Sequence, residues 1–183
     1  MDTWVWIVIA VAAAVVLVLV ALAVAKQRLT KKLREGFGPE YDRAFAEAPS
    51  RREAEADLLE RQRRHGELDL QPLSSETRSR YQREWEAAQA RFVDEPERAV
   101  GEADTLIQQV MRERGYPVDD FEQRAADLSV DHGGVVVNYR AAHVISRRSV
   151  HGVAATEDLR QAMVHYRSLF DSLLEAEPLR VES

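Results

Sequence analysis

Histidine is the side chain best suited to ligate a transition metal or move a proton near neutral pH, and this chain carries five. His132, His143, His151 and His165 form no i,i+4 pair and no H-E-x-x-H arrangement, the spacing that sets two imidazoles on one helix face. A metal site would need tertiary convergence, and His132, His143 and Asp131 are the set best placed for it. The competing roles are structural: His143 packed beside Tyr139, and His132 and His165 as helix-end or surface groups. The chain has no cysteine, hence no thiolate ligand, no disulfide and no lipid-attachment site. Its 31 carboxylates offer many acid–base pairs and single out none. No G-x-S-x-G, Walker or dinucleotide glycine pattern occurs. The sequence therefore assigns no catalytic, cofactor-binding or metal-ligating residue, and no cofactor.

Aromatic side chains give a second candidate. Tyr81, Trp85 and Phe92 with Tyr139, Tyr166 and Phe170 could line a ligand pocket, but at helical spacing such stripes are more often core. The polar stretch Asp127-Leu128-Ser129-Val130-Asp131 reads as a junction between two short helices, capped by Ser129 and Asp131.

The element that positions everything else is Trp4–Ala25, twenty-two residues without a charge. As a helix it spans roughly 33 Å, enough for a hydrocarbon core of about 30 Å. Backbone groups inside lipid must bond within the segment, so helix is required despite the many valines. Trp4 and Trp6 mark one interface. Lys26, Arg28, Lys31, Lys32 and Arg34 mark the other, which predicts residue 1 outside and the body cytoplasmic. The alternative is cleavage near Ala25, after Ala23-Val24-Ala25, with the body extracytoplasmic or secreted. A missing basic n-region and an apolar run longer than usual speak against it.

All three lysines lie in that basic segment, whereas residues 35–183 carry 20 basic and 30 acidic side chains. So acidic a body argues against nucleic acid as a partner. The basic segment suits anionic headgroups, at about 1 kcal/mol per charge near the surface.

Along the rest of the chain, Gly36-Phe37-Gly38-Pro39 is expected to break the first helix. Tyr41, Ala44, Phe45 and Ala48 form a short amphipathic helix ended by Pro49. Ser50 with Glu53 is a capping box opening a charged helix over about 51–65, supported by Asp57–Arg61 and Glu60–Arg64 pairs. This helix reads as a solvated spacer. An extended connector at 66–73 offers Leu68, Leu70 and Leu73. Helices follow at about 75–93 and 95–114, the second opened by Asp94 and Glu97 and stopped by Gly115 and Pro117. Asp119 and Glu122 open a shorter helix bearing Phe121, Ala125 and Leu128. Val135–Val137 tempts a strand assignment, but Val136, Tyr139 and His143, like Val137, Ala141 and Val144, fit helical spacing. A loop is expected over 146–155. Thr156, Glu157 and Asp158 cap the last helix, with Leu159, Met163, Tyr166, Phe170 and Leu173 on one face.

The second half, about residues 66–175, resembles a family of uncharacterised bacterial helical proteins, membrane-anchored or described as secreted. The shared pattern is Tyr81–Trp85, Ala90–Pro96, Arg114–Pro117, Ala125–His132, Tyr139–His143, Thr156–Arg160 and His165–Phe170. The resemblance implies no activity or cofactor. The family commonly places a proline after the histidine matching His132; Gly133 departs from this and is expected to loosen the turn behind it.

The expected architecture is all-α: an N-terminal tail at 1–3, a single transmembrane helix at 4–25 and a basic juxtamembrane segment at 26–35. A charged helical spacer and connector at 36–73, a four- to five-helix bundle at 74–176 and a C-terminal tail at 177–183 complete it. Tyr41, Phe45, Leu58 and Leu59 are too few and too scattered to close a core of their own. They are expected on a protein partner, on another copy of the chain, or on the bundle. The expected function is a membrane-tethered interaction or scaffold module without catalysis. The alternative is a membrane-bound ligand sensor or enzyme using the aromatic and histidine core.

Overall fold

A computed structural model describes residues 3–175; the tail expected at 177–183 lies outside the described residues. These residues form eight helices and no strand, in agreement with the all-α expectation. They are α1 (Thr3–Phe37), α2 (Pro39–Glu47), α3 (Arg51–His65), α4 (Ser75–Arg91), α5 (Pro96–Glu113), α6 (Phe121–Asp131), α7 (Gly133–Val150) and α8 (Thr156–Glu175).

α1 is one helix of 35 residues, about 52 Å long. Its N-terminal part is long and apolar enough to cross a membrane and has none of its apolar stretch buried against the chain. Beyond the basic residues the same helix changes environment. Leu29 is half-buried, and Leu33 and Phe37, one and two turns on, are each only 1% exposed. They pack with Tyr41, Ala44 and Leu58 into a small apolar cluster.

The larger core lies among α4, α5, α7 and α8, with α6 closing one side. The expected stripes build it. Trp85 is fully buried and stacked on Phe170, ring centres 4.7 Å apart. Val100, Ala103, Ile107, Val110 and Met111 line α5, and Leu159, Met163, Tyr166, Phe170 and Leu173 line α8. The connector is extended, with Leu73 buried and Leu68 and Leu70 packed on the core. Its Gln71 N–H donates to the Arg114 carbonyl at 2.9 Å. Gly115 permits that approach: it sits at φ +96°, and a Cβ there would lie 2.4 Å from the Asp69 carbonyl oxygen.

The spacer is the main correction. α2 packs on α3 and α7, α3 packs on α6, and the end of α1 reaches α2, α3, α6 and α7. Residues 36–73 are therefore part of the domain wall, because Tyr41, Ala44 and Leu58 pack with the tail of α1 while Leu68, Leu70 and Leu73 pack on the bundle core. Local boundaries differ too. Pro96 takes the first turn of α5, so Glu95 and not Asp94 precedes it, without a side-chain cap. Asp120, not Asp119, caps α6, accepting from the Gln123 N–H at 2.8 Å. α7 continues to Val150, which shortens the expected loop to residues 151–155. Its buried face is Val136, Tyr139 and Ala142, leaving Val137 and Val144 exposed. Glu60 pairs with Arg63, 2.7 Å away, instead of Arg64.

Gly133 also acts differently from the expectation. It is buried at the start of α7, where a Cβ would sit 2.6 Å from the Phe37 carbonyl oxygen and 3.1 Å from that of Gly36. The missing side chain lets the end of α1 lie against α7. Gly133→Ala should cost about 1–3 kcal/mol through backbone displacement. Gly134→Ala, with nothing within 4 Å of the new Cβ, should be neutral or stabilising by up to about 1 kcal/mol. Equal melting temperatures for the two variants would show that α1 does not seat on this glycine.

Candidate functional site

Three polar groupings gather where α1, α2 and α3 meet the bundle. The most buried centres on Glu40. This residue lies one turn before Ala44 on the inward face of α2, and its side chain is fully buried. Arg140 of α7 donates from Nε to Glu40 Oε1 at 3.1 Å. Arg61 of α3 lies 3.7 Å from the carboxylate and Arg43 of α2 lies 3.5 Å away. Arg140 also reaches Glu122 of α6, and Arg61 pairs with Asp57 at 2.6 Å. One carboxylate thus joins α2, α3 and α7, and through Arg140 also α6. The charges fit because burial of an ion without counter-ions costs several kcal/mol.

The second grouping surrounds Asp131 at the end of α6. His65, the last residue of α3, places Nε2 2.9 Å from its carboxylate. The Tyr116 hydroxyl donates to the same oxygen at 3.2 Å. Burial opposes ionisation of Asp131, but His65, His132 and the Tyr116 hydrogen bond outweigh it and hold the carboxyl below its usual range. Next to it, His132 is 5% exposed, with Nδ1 2.7 Å from Ser172 Oγ of α8. Burial, with smaller contributions from Arg114 and His65 opposed by Asp131, pushes His132 down to about 4. Arg114, also buried, spans from the end of α5 to the Leu173 carbonyl at 2.7 Å.

The third lies at the foot of the apolar part of α1. Lys26, Arg28, Lys31, Lys32 and Arg34 are all exposed there, beyond Trp4 and Trp6 at the far end, 71% and 63% exposed. Glu55 of α3 reaches this junction from inside the domain. It accepts from the Thr30 hydroxyl at 2.6 Å, from Tyr41 at 3.3 Å and from Arg51 at 3.1 Å. The Thr30 hydrogen bond holds Glu55 below the usual carboxylate range against the opposing effect of burial.

The histidines and acids singled out from sequence are separated. His132 and Asp131 are neighbours, but His143 stacks on Phe121 with ring centres 3.7 Å apart, on the outward side of Tyr139. His65 takes the place that sequence gave to His143. Among the described residues no group of three or more histidine and acidic side chains is placed to hold a metal ion. Tyr139 and Tyr166 are fully buried, with hydroxyls bonded to Arg124 at 3.2 Å and Asp104 at 2.9 Å. The four residues considered for a partner surface divide. Tyr41 and Leu58 are 6% and 0% exposed inside the α1–α3 cluster, whereas Phe45 and Leu59 are 49% and 40% exposed. Burial of Tyr41 and Leu58 corrects that surface, since they pack on their own chain.

Glu40, His65 and Arg140 were missed, and Arg61 was read only as the partner of Asp57, a pair the structure contains. A signal existed for two of them: Glu40 precedes Ala44 by four positions, and Arg61 follows Leu58 by three, so each shares an apolar face. No protein-family model, curated protein or solved structure matches the chain, so its site is read from geometry alone.

Glu40→Ala should destabilise the domain by about 3–5 kcal/mol, because Arg61 and Arg140 lose a buried counter-charge. Thermal unfolding of the variant should show the loss at both low and high salt; an unchanged midpoint would refute the hub. A pH dependence follows from His132. Between about pH 6.5 and 4 the unfolded chain binds a proton there that the folded chain refuses. Stability should therefore fall as pH drops through that window, by up to about 1.4 kcal/mol per unit. Asp131, with a lowered carboxyl, loses its contribution only at lower pH. His132→Asn should flatten the dependence of the melting midpoint between pH 7 and 4.5; an unaltered slope would assign it elsewhere.

Proposed function

We propose that this chain is a single-pass membrane protein whose domain is a tethered interaction or scaffold module for a protein partner. In this reading α1 crosses the cytoplasmic membrane with residue 1 outside and the domain inside. The observation that carries it is the continuity of α1. The helix passes without a break from a fully exposed apolar stretch into a buried seat at Leu33 and Phe37. Leu33 follows Ala25 by eight residues, or about 12 Å of helix, so the domain is mounted close to the headgroup layer. A helix seated in this way fixes the height and direction of the surfaces it carries, which favours presentation to a partner over free diffusion on a flexible tether. The five basic residues after Ala25 support the cytoplasmic placement.

Phe45 and Leu59 are the remaining exposed apolar anchors on α2 and α3, and they are the residues we assign to the partner contact. A reporter active only in the cytoplasm, fused after Ser183, should be active. Proximity labelling from wild type and from a Phe45→Asp, Leu59→Asp double variant should then differ by at least one neighbour, with unchanged thermal stability. Identical neighbours would remove this surface; activity of a periplasmic reporter alone would reverse the orientation. Labelling dominated by a second copy would make the partner the chain itself. Substrate turnover by the purified protein would overturn the non-catalytic reading.

A further inference from the structure

The reading of α1 as a membrane span carries one step further, to what its basic segment holds. Ala23, Lys26, Gln27, Thr30, Lys31 and Arg34 follow at i, i+3, i+4, i+7, i+8 and i+11 and so form one helix face. With Arg51, the first residue of α3, they line a cleft of about 470 Å³ between α1 and α3. Four cations, an amide and a hydroxyl line it, and no carboxylate does. Nearby carboxylates do face its cations: Glu35 lies 3.7 Å from Lys31, Asp42 lies 3.6 Å from Arg34 and Glu55 lies 3.1 Å from Arg51. The first two pairs are solvent-exposed and hold weakly. Glu55 is fixed from within by Thr30 and Tyr41, so it orients Arg51 on the cleft wall and uses the Thr30 hydroxyl.

Depth separates these groups into two tiers. Along the bilayer normal, Lys26 and Gln27 stand about 2–3 Å beyond Ala25, and Arg34 about 13 Å beyond it. The polar layer of each leaflet is about 5–8 Å thick. The inner tier is therefore level with a lipid's diester phosphate, whereas Lys31, about 9 Å beyond Ala25, and Arg34 stand past the polar layer, where only a headgroup that projects outward reaches them. Arg51 lines the same cleft from α3. We infer that the α1–α3 cleft binds the headgroup of a polyanionic lipid, with its diester phosphate at Lys26 and Gln27 and an outward phosphomonoester at Lys31, Arg34 and Arg51. A headgroup seated there bridges the span to α3 and adds a lipid-dependent tie to the domain's mounting.

The test uses full-length protein in phosphatidylcholine nanodiscs doped, at equal total charge, with phosphatidylglycerol or with a phosphatidylinositol monophosphate. Lipid retained on the purified protein is counted by native mass spectrometry. Wild type should retain the phosphomonoester lipid at least about tenfold over phosphatidylglycerol. Arg34→Gln with Arg51→Gln should abolish the preference. Arg28→Gln with Lys32→Gln, which removes the same charge from another face of α1, should leave it within about twofold. Circular dichroism melts matching wild type keep both variants interpretable. Equal losses in the two variants, or no preference in wild type, would reduce the segment to nonspecific attraction and overturn the inference. So would tripolyphosphate binding in plain phosphatidylcholine discs without lipid preference, which would make the occupant a soluble polyphosphate. Flotation with pure phosphatidylcholine vesicles separates the two levels. Protein that floats but shows no preference loses only the headgroup site; protein that does not float loses the span, and the inference with it.

Discussion

A carboxylate withdrawn from water must be met by positive charge, and the way the N-terminal helices join the bundle follows from where that happens. Glu40 is fully buried, and the arginines that answer it come from α2, α3 and α7. Separating those helices would leave Glu40 with fewer counter-charges than a carboxylate in a medium of poor solvation requires. Apolar contacts alone would allow α2 and α3 to slide, because the cluster of Leu33, Phe37, Tyr41, Ala44 and Leu58 is small. The ion cluster fixes the register that this small core leaves open.

The consequence reaches α1. Its last turns have no independent reason to stay ordered, yet they are seated by the apolar cluster, by Thr30 on Glu55 and by the missing side chain at Gly133. A helix held at one end by such different contacts transmits direction, and the domain inherits the axis of α1. Asp131, His65 and Tyr116 repeat the arrangement on a smaller scale where α3 meets α6.

Polar groups in these seams serve specificity more than stability. A well-packed apolar replacement often matches or exceeds a buried ion pair in stability, so what the cluster on Glu40 adds is the choice of which helices meet. The larger core needs no such device. Trp85, Ile107, Tyr166 and Phe170 interlock as apolar or singly bonded groups, and the bundle closes by area and shape.

Sequence periodicity determined the helices themselves. A 3.6-residue repeat depends only on one face being buried, so the stripes of α4, α5 and α8 were legible from their own residues, as were the charge-free run of α1 and the Ser50 cap. It also resolved the valines of α7 correctly. Tertiary structure decided which helices meet. Leu58 and Tyr41 read as stranded apolar residues because their partners were assigned elsewhere: Leu33 to the juxtamembrane segment and Phe37 to a helix break, whereas both lie on the continuous α1. His65 replaced His143 beside Asp131 because pairing across 66 residues leaves no local period to read. Glu40 was hidden for the same reason: a carboxylate belongs in a core only when arginines 21 and 100 residues away converge on it, and only the folded chain brings them there.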